Sequence, residues 1–211
     1  LTARVHRPAA DLDARFASPY TWNAFLAAPL LEYRARLEPA RRAAFDSAQL
    51  LVLLVQGFVG VRVLDAACTV SLVSRVSARH AGTRFNARGL DDAGYAAGFA
   101  ESEVVLARGD AVAALALLRG SVPVFWEQQG LQLGARIQLT RSAAATFPAF
   151  ARHMHKLLAS DARVFVLDLL GTRDAETTLS DAYAAHIRTL LRTWDDADGD
   201  GDGDGDDDAP P

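Results

Sequence analysis

The chain has 211 residues, 50% of them hydrophobic and 23% charged, with a formal net charge of −4. That apolar fraction excludes a fully disordered chain, and the length suffices for one ordinary core or for parts of two adjoining subdomains. The longest near-apolar run, Leu50 to Val61, has 12 residues and contains Gln56, against about 18 needed to cross a bilayer, so no transmembrane segment is expected.

No signal peptide opens the chain, and Leu1 in place of Met suggests a fragment. Cys68 is the single cysteine, so no internal disulfide forms and a reducing, cytoplasmic setting is the default. The charge is divided unevenly. Residues 195–211 carry nine Asp and no basic group, which leaves the other 194 residues at +5. Such a body can face an anionic partner, and its tail cannot.

In chain order, Thr21 is placed to cap a helix over about 22–37, with Trp22, Phe25, Leu26, Leu30 and Tyr33 at helical spacing. Glu38 to Ser47 is polar, contains Pro39 and reads as a connection with at most one helical turn. Leu50–Val55 and Phe58–Leu64 read as buried strands, although period alone does not separate such short runs from buried helix, and Cys68–Val76 reads as another strand. Ser77 to Ala100 is polar and glycine-rich, the kind of long irregular stretch that is functional or disordered. Strands are expected again at Glu103–Ala107, Ala111–Leu118, Val122–Trp126 and Arg136–Leu139. A helix over Phe147–Ala159, a buried strand over Arg163–Leu170 and a helix over Asp174–Arg192 complete the body. Beyond Trp194 the Asp-Gly run has no apolar residue larger than Ala and is expected to be a solvated, disordered tail. The expected class is mixed α/β, a sheet with flanking helices.

The segment from Arg75 to Gly89 concentrates chemistry. It carries Arg75, Arg79, Arg84, Arg88 and His80 among glycines that let backbone bend around a ligand. Arginine offers phosphate a fixed fork of donors, so the cluster suits a phosphorylated partner. A solvated loop in an arginine-biased protein is the plainer reading of the charge alone. His153 and His155 lie two apart near a helix and point to different faces, so a shared metal is not expected. The Asp196, Asp198, Asp200, Gly201 and Asp207 spacing matches a calcium loop only in part, as repeated Asp-Gly does by chance. Trp126 reads as core packing. Glu127, after the same apolar strand, reads as exposed.

Several blocks in one order resemble the Sac domain of phosphoinositide phosphatases, in its synaptojanin branch. They are Thr21-Trp22-Asn23, Gln56-Gly57-Phe58-Val59, Ala81-Gly82-Thr83-Arg84-Phe85 with Gly89, and Phe99-Ala-Glu-Ser-Glu103. Arg119-Gly-Ser-Val-Pro-Val-Phe-Trp-Glu-Gln128, Gly130-Leu-Gln-Leu-Gly134, Pro148-Ala-Phe150-Ala-Arg-His153, Leu169-Leu-Gly171 and Leu179-Ser-Asp-Ala-Tyr183 continue in register. The chain departs from the family pattern at His80, Ala87 and Asp168.

The resemblance implies hydrolysis of phosphate from inositol-ring headgroups at a membrane surface through a phosphocysteine intermediate, with no metal and no cofactor. It implies a cytoplasmic protein peripheral to membranes, with no nucleic-acid partner. Arg75, Arg79, Arg84 and Arg88 would attract or position the headgroup. It also implies a division into the end of an N-terminal Sac subdomain (1–70), the first part of the catalytic subdomain (71–194) and the acidic tail (195–211). The family's nucleophile motif is Cys, five residues, then Arg. Here six residues separate Cys68 from Arg75, in a strand-like run without glycine. No catalytic residue is therefore expected in this chain, which is expected to be an inactive piece of an enzyme. The alternative is a catalytically dead Sac-like module that binds membranes or proteins.

Overall fold

A computed structural model describes residues 12–79, 87–129, 136–160, 164–172 and 174–199. In chain order its elements are α1 (Leu12–Ala17), α2 (Ala24–Ala35), α3 (Pro39–Ser47), β1 (Gly57–Asp65), β2 (Cys68–Val76) and β3 (Ala87–Gly89). β4 (Ala100–Arg108), β5 (Ala111–Arg119), β6 (Phe125–Gln129), β7 (Arg136–Leu139), α4 (Ala143–Ser160) and α5 (Asp174–Gly199) follow. The mixed α/β class is as expected, and every strand pairing is antiparallel.

The chain divides into two compact units, residues 1–84 with 95–121 and residues 85–94 with 122–211. Residue 70, the expected subdomain boundary, lies within β2.

The first unit is built on a four-stranded sheet ordered β1-β2-β4-β5. Two tight hairpins make it. Asp65 accepts the Ala67 N–H to close β1–β2, and Gly109, at φ +55°, turns β4 into β5. Side chains alternate across the sheet. One face carries the row Gly60, Leu72, Val104, Leu115, and the other the row Val61, Ser71, Val105, Ala114.

The helices of this unit are tied by Arg34, whose guanidinium bonds Asp13 of α1 and both carboxylate oxygens of Asp46 at the end of α3. Thr21 is not the cap of α2: it is buried and its hydroxyl donates to the Arg15 carbonyl, leaving Asn23 at the N-terminus. Phe25 and Leu26 of α2, two of the residues at helical spacing, face outward. Pro39 begins a nine-residue helix where a connection was expected, because the first turn needs no proline N–H.

Leu50–Val55 is not a strand either. Its backbone is held by the Asn23 side chain, which donates to the Val52 carbonyl and accepts from the Leu54 N–H, while the Leu54 carbonyl takes the Trp22 N–H. A side-chain amide here does the work of a neighbouring strand.

The second unit packs α4 and α5 with the three-stranded sheet β3-β6-β7. Its core gathers Val124, Trp126 and Leu179, with Val122, Ile137, Leu170 and Ala182 against them. Phe150 is fully buried, edge-on to Tyr183 and stacked on His186 at 5.1 Å between centroids. Gly89 ends β3 at φ +82°, where a Cβ would lie 1.7 Å from the Val124 carbonyl oxygen, so no other residue fits.

Two strand expectations in this unit fail. The strand expected over Val122–Trp126 starts only at Phe125 and runs to Gln129. Residues 164–170 form no ladder with any described residue, and Phe165 is 93% exposed rather than buried. Asp168 instead accepts the Leu170 N–H and the Ser180 hydroxyl, a local turn in place of a strand. The tail expected to be solvated from residue 195 begins as helix, since α5 runs to Gly199. The remaining Asp-Gly residues, with the calcium-like spacing at Asp200, Gly201 and Asp207, lie outside the described residues.

Candidate functional site

The four arginines are not equivalent. Arg75 lies on β2 opposite Glu101 of β4, and the two form an ion pair in which the carboxylate side chain is 5% exposed and the guanidinium 39%. The Arg75 guanidinium also covers the Tyr20 ring at 4.8 Å. Its charge is thus spent inside the first unit, on a carboxylate that is itself buried. Arg79 is exposed, lies over the Tyr95 ring at 5.8 Å, and its N–H donates to the buried Ser77 hydroxyl. Arg88, half-buried on β3 in the second unit, lies 5.3 Å from the centre of the Trp126 ring. Arg84, His80 and Gly82 lie outside the described residues.

Cys68 is buried at the first position of β2, and Arg75 stands near the other end of the same strand. Seven residues of strand span about 23 Å, far too long for a thiolate and a guanidinium to hold one phosphoryl group. Cys68 behaves as the small buried strand residue that the sequence suggested.

The second unit holds a polar arrangement that spacing arguments did not find. Residues 91–94 form a turn whose successive carbonyls are gripped by α4. Arg152 donates to the Asp92 carbonyl, Lys156 to that of Ala93, and His153 Nδ1 lies 3.0 Å from the Gly94 oxygen. Gly94 has φ +80° and a Cβ there would come within 2.9 Å of the α4 backbone. The Asp92 carboxylate pairs with Arg141, whose guanidinium lies 3.7 Å from the centre of the Phe125 ring. The Arg141 hydrogen bond holds the Asp92 carboxyl below its usual range, with Arg152 adding to the effect. Arg152 and Lys156 at i, i+4 on one helix face were the available signal.

His153 and His155 part company as expected. Burial holds His153 below its ordinary pKa, against the pull of the Gly94 carbonyl, while His155 is exposed beside the Trp194 ring. His186 is likewise depressed by burial. Trp126 is core, its Nε1 donating to the Val122 carbonyl, and Glu127 is half-buried rather than exposed. Leu139, Arg141, Thr146, Asp181 and His186 line an open, mainly apolar cleft of about 410 Å³. Among the described residues, no three His, Cys, Asp or Glu side chains gather in a way that could hold a metal ion. None of the described helices is long and apolar enough to cross a membrane.

Two small antiparallel sheets with helices, cationic side chains over aromatic rings and a thiol buried at the start of a strand make up a mixed α/β chain. The SacI homology domain model matches residues 1–201. The chain belongs to the SacI homology domain family. It is similar to inositol-1,4,5-trisphosphate 5-phosphatase 1 of Schizosaccharomyces pombe, 35% identical over 173 residues, which cover 80% of this chain and 16% of that protein. It is 42% identical to synaptojanin-1 of Rattus norvegicus over 142 residues, 65% of this chain and 9% of the relative. It is 34% identical to human synaptojanin-2 over 187 residues, 87% of this chain and 12% of the relative. The chain therefore spans a sixth or less of the relatives it matches.

Proposed function

We propose that this chain is a portion of a phosphoinositide phosphatase, positioned at a membrane surface on the cytoplasmic side and inactive by itself. The family match across residues 1–201, with a relative named as an inositol-1,4,5-trisphosphate 5-phosphatase, is the observation that carries the reading. In the parent enzyme a thiolate would attack phosphorus, displace the inositol oxygen and form a phosphocysteine that water then hydrolyses. Cys68 is a poor candidate for that thiolate. It is buried, and Arg75 stands about 23 Å along an extended strand. Phosphate binding falls to the arginines of the 75–89 segment other than Arg75, which is held on Glu101. Arg79 and Arg84 in the first unit and Arg88 in the second are the candidates, with Arg75 holding Glu101 instead.

Phosphate release from phosphoinositide-containing liposomes tests the reading. The purified chain should release none above a no-protein control, and turnover that survives Cys68→Ser would overturn it. Liposome binding should weaken with Arg79→Ala, Arg84→Ala or Arg88→Ala, and with added salt, because exposed charges are screened within about 10 Å at 0.1 M.

A further inference from the structure

The two edges of the first unit's sheet are built differently. β1 carries Arg62 in mid-strand and a bulge between Val63 and Asp65, both of which discourage another strand from pairing. β5 reads Ala-Val-Ala-Ala-Leu-Ala-Leu-Leu-Arg, with no charge before Arg119, no glycine, no proline and no bulge. Val112, Leu115, Leu117 and Leu118 are all exposed. No described residue outside β4 shares a backbone hydrogen bond with β5.

The register shows what this edge offers. The two-residue turn Gly109-Asp110 makes Arg108 and Ala111 the closing hydrogen-bonded pair. By the period of two, residues 111, 113, 115, 117 and 119 spend their backbone groups on β4. Residues 112, 114, 116 and 118 aim theirs outward.

We infer that β5 is the pairing edge of a symmetric dimer, formed by two copies of this chain with their β5 strands antiparallel about Leu115. In that register Val112 lies opposite Leu118 of the second copy and Ala114 opposite its Ala116, so all four outward-facing residues of each strand find partners at once. The two Leu115 side chains meet on the axis, with Ala113 and Leu117 beside them. At each end Arg119 comes to the partner's Ala111, next to Asp110, so opposite charges close both ends. The contact is isologous and leaves no repeating edge, so assembly stops at two.

Sedimentation equilibrium of the whole chain tests this, with far-UV circular dichroism as the check on folding. The wild type should dimerise reversibly at or below about 100 µM. Ala114→Pro removes an outward N–H that β4 does not use, and Leu115→Lys sets two cations on the axis. Each should weaken the dimer at least tenfold with an unchanged spectrum. Val61→Lys, on the guarded edge, should leave it intact. Arg119→Glu should weaken it, and adding Asp110→Arg should restore it. A wild type that stays monomeric at that concentration, open-ended oligomers, or loss of the dimer in Val61→Lys but not in Leu115→Lys would each overturn the inference.

Discussion

The sheet of the first unit and the core of the second are made of similar residues and end in opposite environments. β1 and β5 are rich in Val and Leu, yet Phe58 is 60% exposed and most of their other large side chains are exposed too. In the second unit, Val124, Phe150 and Leu179 are all but sealed from water. Apolar composition makes a residue worth burying. Burial itself needs a surface to meet, and the second unit supplies one by folding two helices against a three-stranded sheet.

The sharpest way to break that comparison is truncation on each side. Phe150→Ala should cost about 3–5 kcal/mol, because a sealed ring leaves a cavity, whereas Phe58→Ala should cost well under 1 kcal/mol. Hydrogen exchange reports the two units separately. Equal losses at the two positions would mean that the sheet faces are covered in solution.

Next comes the buried carboxylate of the first unit. Arg75→Ala takes the Arg75 cation away from the buried Glu101 and should cost about 2 kcal/mol, below the 3–5 expected of a fully buried pair because the guanidinium is partly solvated. Glu101→Gln with Arg75→Ala should recover much of that loss, since a neutral amide costs less to bury than a carboxylate. No recovery would mean that the stack on Tyr20, not the charge, is what counts.

A smaller effect follows from His153 and His186, both depressed by burial. The unfolded state takes up protons at a higher pH than the folded state does. Stability of the second unit is therefore complete above the ordinary histidine value of 6.5 and falls as pH drops below it, toward the depressed folded values. Urea midpoints at pH 7.5 and 5.5 measure this. His186→Phe should flatten part of the slope, and an unchanged slope would assign the whole of it to His153.

The smallest effect belongs to the exposed pair of Asp92 and Arg141. Asp92→Asn should leave the urea midpoint of the second unit unchanged within error, because water solvates both ends of the pair. A clear loss would mean that the carboxylate, and not only the backbone carbonyl taken by Arg152, anchors the turn to α4.

Much of this was legible in the residues. β2 and β7 run over the stretches expected of them, because alternating branched residues and nearby turns leave little choice. The family order of short blocks was legible too, and Cys68 was identified as buried. Leu50–Val55 and residues 164–170 misled for one reason. An apolar run states a preference for a strand, while a strand exists only where another offers its backbone. In the first case Asn23 took that role, and in the second Asp168 closed a turn. Arg75 misled differently, since the sequence shows a cation and not the Glu101 that lies opposite it 26 residues later.

The sequence by itself determined the family, the mixed α/β class, most strand positions and the six-residue spacing between Cys68 and Arg75, because these rest on residue order and local period. Only the tertiary structure decided which arginines are spent and which apolar faces are covered. It also decided which backbone edges are left to pair. Those properties depend on what lies across a ladder or beneath a helix, and distance along the chain does not encode distance through space.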